Sequence, residues 1–155
     1  MSPTEMAYRK TAIGGASGFG LLVALYDTLA GDLRRGAEAE RSNDLEKRTQ
    51  ELNHALLVVA YLEEYVERGS GGKLAERLVA FYKTLRRKMI EAQVKRSAEI
   101  LQEQMAQVLK IREIWQRFEL DGSSSRQEAQ AWAPPANYPN APPVRYEPSA
   151  SGWSA

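Results

Sequence analysis

Apolar positions recur at steps of three and four along most of the chain, and the recurrence is interrupted at three places. Leu21, Leu22, Leu25, Tyr26, Leu29 and Leu33 fall on one side of a helical period. Ser17, just before them, is a candidate N-cap, because its hydroxyl accepts from a backbone N–H that the helix leaves unpaired. The stripe fades near Arg41, where Ser42-Asn43-Asp44 reads as a turn and a fresh cap. A second stripe, Leu45, Leu52, Leu56, Val59, Leu62 and Val66, stops at Gly69-Ser70-Gly71-Gly72, a run unsuited to a helix interior. A third carries Leu74, Leu78, Phe81, Tyr82, Leu85 and Met89 to a break near Lys95-Arg96-Ser97, with Ser97 as the next cap and no glycine or proline to mark it. The fourth holds Leu101, Met105, Val108, Leu109, Arg112 and Trp115 and ends near Asp121-Gly122.

This pattern predicts helices over about 17–41, 44–68, 73–95 and 98–120, each roughly 30–36 Å long at 1.5 Å per residue. Similar lengths and short connections make sequential helices antiparallel, so the predicted fold is all-α: an up-down four-helix bundle. No stretch alternates with period two for long enough to make a strand. The expected organisation is an N-terminal segment over 1–16, a bundle over 17–120 and a tail over 121–155. Six of the seven prolines fall in the tail, which is poor in aliphatic side chains and is predicted to be disordered. Its aromatics, Trp132, Tyr138, Tyr146 and Trp153, have the chemistry to dock on a surface, although a solvated extension is the simpler expectation.

Composition narrows the function. With no cysteine, disulfides, thiolate metal sites and thiol nucleophiles are excluded, and a reducing cytosol fits. Lysine and arginine number 21 against 20 acidic residues, without the basic excess of a nucleic-acid binder. The basic clusters Arg86-Arg87-Lys88 and Lys95-Arg96 have acidic neighbours in Glu91, Glu99 and Glu103 and lack interleaved aromatics, so they read as a solvated face. No apolar run approaches the roughly 18 residues of a membrane span. Arg9 and Lys10 before the apolar run from Ile13 imitate a secretory signal, but four glycines weaken it and Asp27 closes it without a cleavage site. The predicted location is the cytoplasm.

Candidate chemistry fails part by part. Glu51 and His54 form one Glu-x-x-His, yet a bundle di-iron site needs two, and His54 is the sole histidine, so no metal or other cofactor is expected. His54 then reads as a surface or boundary residue. The run from Gly14 to Gly20 lacks the preceding strand and the Gly-Lys-Ser/Thr ending of a phosphate loop. Catalysis by a Ser-His-acid set would rest on His54 in mid-helix without an oxyanion loop, and the adjacent Glu63 and Glu64 point apart. The chain is not expected to be an enzyme.

What remains is a series of residues in order. Ala7-Tyr8, Gly14, Ala16-Ser17, Leu21-Leu22 and Leu25-Tyr26-Asp27 are followed far downstream by Tyr82, Leu85, Arg86-Arg87, Met89-Ile90 and Glu91-Ala92, and then by Trp115. Over about residues 6–119 this resembles FliS, the flagellin-specific export chaperone family. Its members open with an Ala-Tyr pair, a Thr-Ala-Ser-Pro helix start and a Leu-Tyr-Asp, and later carry an Arg-Arg-Leu-x-Glu-Ala-Asn. Gly15 and Gly18 stand where Thr and Pro are usual, and Gln93 replaces the Asn.

The resemblance implies a chaperone that binds the C-terminal segment of flagellin, keeping it from premature polymerisation and fit for export. It also implies that the N-terminal segment is a lid that flagellin displaces, with Tyr8 and Ile13 at the lid positions. For the groove, Leu22, Leu25, Tyr26, Leu29, Leu85, Met89 and Trp115 are the candidates, with half or more of them expected to be core. Beyond flagellin, an export-gate component is a second candidate partner, and the free chain is a candidate homodimer. The alternative is a non-catalytic bundle that pairs with a different partner through an apolar face.

Overall fold

The computed structural model describes residues 18–67, 71–120 and 143. Four helices follow in order: α1 Gly18–Arg41, α2 Leu45–Glu67, α3 Lys73–Lys95 and α4 Ala98–Leu120. α1 packs against α2 and α4, and α3 packs against the same two, so the helices stand at the corners of a square with α1 and α3 on a diagonal. This is the expected antiparallel up-down bundle. Among the described residues there is no strand, and no helix is long and apolar enough to cross a membrane. The expected Ser17 cap, the N-terminal segment and the greater part of the tail lie outside the described residues.

The corners form for local reasons. Asn43 takes the left-handed conformation at φ 58°, which lets the Asp44 N–H reach back to the Ala39 carbonyl at 2.8 Å and the Asn43 N–H to Glu40 at 3.1 Å. These two bonds satisfy carbonyls that the last turn of α1 would otherwise leave unpaired. Asp44 then caps α2, its Oδ1 accepting from the Lys47 N–H at 3.1 Å. The α3–α4 corner repeats the device without glycine. Arg96 sits at φ 53°, the Ser97 N–H donates to the Ala92 carbonyl at 2.9 Å, and Ser97 Oγ accepts from the Ile100 N–H at 3.3 Å. The two left-handed residues meet, because the Arg96 guanidinium donates to the Asn43 side-chain oxygen. At the opposite end Gly71 and Gly72, at φ 83° and 108°, lead into α3 through backbone that side chains resist.

The core is one continuous cluster drawn from all four helices. Gly36 explains how closely α1 approaches α2: a Cβ there would meet Leu52 Cδ2 at 3.1 Å. The glycine costs α1 about 1 kcal/mol of helix propensity relative to alanine. It stands where the Leu52 side chain of α2 packs directly onto the α1 backbone.

Candidate functional site

The candidate groove residues converge on the interior. Leu22, Leu25, Tyr26 and Leu29 of α1, Leu85 and Met89 of α3, and Trp115 of α4 are all buried in one cluster. Tyr8 and Ile13 lie outside the described residues. In this conformation the seven side chains belong to one core cluster, and none of them presents a face to solvent.

At their centre is an aromatic cluster that joins three helices. Tyr26 and Tyr82 share a hydroxyl–hydroxyl hydrogen bond of 2.7 Å across the α1–α3 diagonal. Trp115 stands edge-on to Tyr26 with centroids 6.2 Å apart, and Phe19 and Phe118 continue the cluster at 6.2 and 5.9 Å from the Trp115 ring. Burial pushes the Tyr26 phenol up to about 12, against the opposing effect of the bond to Tyr82. Burial raises Tyr82 as well, assisted by the proximity of Tyr26. Both hydroxyls therefore stay protonated at neutral pH and serve as a structural pair, too deep and too weakly acidic for proton transfer.

Four polar contacts between helices add to the apolar core. Asp32, fully buried on α1, accepts from Arg35 at 2.9 Å and meets His54 Nδ1 at 2.5 Å. Arg35 also reaches Glu51 of α2 at 3.1 Å. His54 thus belongs to the boundary between α1 and α2, with a carboxylate that orients its ring, and its Nε2 is buried without a hydrogen-bond partner. Asp27 accepts from Arg112 of α4 at 2.7 Å, which accounts for an arginine on the fourth apolar stripe. Glu63 accepts from Arg86 of α3 at 2.5 Å, so it points away from any pairing with Glu64. Asp32 carries a sequence clue like that of Arg112: it continues the α1 stripe from Leu25 and Leu29 at helical spacing, so a carboxylate occupies an apolar position.

Among the described residues no three histidine, aspartate or glutamate side chains gather as they would around a metal ion. The basic run of α3 is neutralised along its own surface, Lys88 and Lys95 both pairing with Glu91 at 3.2 and 3.0 Å. Their hydrogen bonds, Lys95 foremost, hold the Glu91 carboxyl below its ordinary range. Apolar side chains that do reach solvent lie elsewhere: Leu57 on α2, Ile90 and Val94 on α3, Ile114 and Leu120 on α4. A cleft of about 510 Å³ opens between the end of α2 and the start of α3.

No curated protein matches the chain. Over residues 1–121, which take in all four helices and the segment before them, the sequence matches the family described as flagellar protein FliS. Matched over that span, the chain belongs to the FliS family of flagellar proteins.

Proposed function

We propose that this protein is a cytoplasmic export chaperone that binds the C-terminal segment of flagellin, holds it apart from premature polymerisation and keeps it fit for export. The observation that carries this reading is the family match over residues 1–121, which supports a flagellar chaperone role for the whole bundle rather than for one motif. The fold is suited to the task. A rigid core can support seams between helices, along which a disordered partner lays apolar anchors as it folds. Tyr8 and Ile13 act as displaceable side chains of the N-terminal segment. Leu22, Leu25, Tyr26, Leu29, Leu85, Met89 and Trp115 form the interior floor that the partner's anchors approach once that segment leaves.

Titration calorimetry with a flagellin C-terminal peptide tests the reading directly. Binding at one to one, with a negative heat-capacity change and a gain in helical circular dichroism, is the expected outcome. No heat and no helix gain at about tens of micromolar, where roughly 6–7 kcal/mol of binding energy would already register, would sink it. Tyr8→Ala and Ile13→Ala are expected to change affinity several-fold while moving the thermal midpoint by less than about 2 °C. A collapse of the midpoint would instead make them core residues and remove the lid.

A further inference from the structure

The cleft between α2 and α3 has no part in the flagellin reading, and its position points to an occupant within the same chain. It is walled by Val66, Ala75, Val79 and Ala80, with Glu67, Glu76 and Lys83 on its rim. Gly71 and Gly72 border it, and a Cβ on either would meet nothing within 4 Å, so the space beside the turn is open. α4 runs antiparallel to α3 and packs on it, which sets Leu120 at the same end of the bundle as Lys73. The 35 residues that follow Leu120 therefore start at the same end of the bundle as the cleft.

We propose that the tail segment Arg145-Tyr146-Glu147 docks in this cleft, with the Tyr146 ring on Val79 and Ala80, Arg145 against Glu76 and Glu67, and Glu147 against Lys83. Spacing and charge both support it. Glu76 and Lys83 are two turns apart on α3, about 10.5 Å along its axis. Residues 145 and 147 of an extended segment are about 6 Å apart, and the arms of arginine and glutamate span the remainder. Pro142, Pro143 and Pro148 frame the segment, and prolines favour extended backbone, which lowers the entropy lost on docking. Pro143 is itself exposed and outside regular structure. Reach is ample: 26 residues of flexible chain span roughly 25–30 Å on average, more than the width of two packed helices. The other aromatic segments lack this charge pattern, since Trp132 lies between alanines and Tyr138 between Asn137 and Pro139.

The full chain provides the test. It contains no cysteine, so Ser149→Cys gives one attachment point for a nitroxide, three residues beyond Tyr146. At the millimolar effective concentration of a tethered segment, the amides of Gly71, Gly72, Ala75 and Val79 are expected to lose about half their intensity, while Ser42 and Ser97 at the far end keep theirs. Tyr146→Ala restores the lost signals. Arg145→Glu also restores them, and Glu76→Arg added to Arg145→Glu brings the loss back. Equal loss at both ends of the bundle, or a loss that Tyr146→Ala leaves unchanged, overturns the proposal. So does transfer of the broadening to an isotope-labelled, untagged chain in a mixed sample, which would place the tail on a second molecule.

Discussion

α1 and α3 are almost the same length and occupy opposite corners of the square, yet they do different work. Sixteen of the 24 residues of α1 are buried, against six of the 23 in α3. α1 has almost no outward face, so a substitution anywhere along it falls on packed neighbours. α3 keeps one narrow apolar stripe, while Lys83, Arg87, Ile90, Val94 and Lys95 stand exposed on it. Packing therefore constrains α1 along almost its whole length, while most of the α3 surface is left outside the core. The Tyr26–Tyr82 hydrogen bond ties the two across the diagonal.

The sharpest way to break this comparison is to truncate one leucine in each helix. Leu29→Ala on α1 is expected to cost about 3–5 kcal/mol, as for a fully enclosed site that cannot collapse around the cavity. Leu78→Ala on α3, near the open end beside the cleft, is expected to cost nearer 2 kcal/mol, because neighbours there have room to relax. Urea denaturation measures both. If Leu78→Ala proves the costlier of the two, α1 is not the centre of stability.

Charge gives a second contrast. Asp32→Ala leaves Arg35 and His54 facing a buried space without the carboxylate they share, at an expected cost of about 3 kcal/mol. Glu91→Gln on α3 removes a carboxylate with two lysine partners of its own, and the urea midpoint is expected to stay where it is, because solvent and salt screen that cluster. A comparable loss from both would mean that the α3 surface is as tightly coupled to the fold as the α1 interior.

These two carboxylates also show what could be read from the sequence. Helix number, order and turns were legible because each rests on local chemistry: leucines at steps of three and four, Asp44 and Ser97 at cap positions, glycines where α3 begins. The surface pairs of α3 were legible for the same reason, since they lie three and four residues apart. Contacts that depend on how whole helices dock were not. Asp32 meets His54 across 22 residues, Tyr26 meets Tyr82 across 56 and Arg112 meets Asp27 across 85. The candidate groove suffered from the same limit. A leucine stripe states that a face is covered without stating by what, so Leu22, Leu25 and Leu29 look alike whether the cover is another helix of the bundle or a partner. The break at Arg96 was legible from Ser97, but its left-handed conformation was not, because arginine carries no preference for it.

The tie across the diagonal gives the smallest effect and the finest test. Tyr26→Phe or Tyr82→Phe alone strands one buried hydroxyl, at about 1–2 kcal/mol, while the double variant removes donor and acceptor together and is expected to cost less than the two losses added. Alkali probes the same bond without a full mutant series. The Tyr26 phenol is raised from 10.0 in the exposed state to about 12, mainly by burial, and Tyr82 is raised in the same direction. A raised phenol favours the folded state while the unfolded chain also keeps its proton, so this contribution is complete below pH 10. Above that pH the unfolded chain releases its protons first, and the contribution is lost as the pH climbs toward 12. Urea midpoints are thus expected to fall over that interval in the natural chain and to fall less steeply in the Tyr26→Phe, Tyr82→Phe double variant. Parallel slopes would assign the alkaline loss to other groups and leave α1 and α3 joined by packing alone.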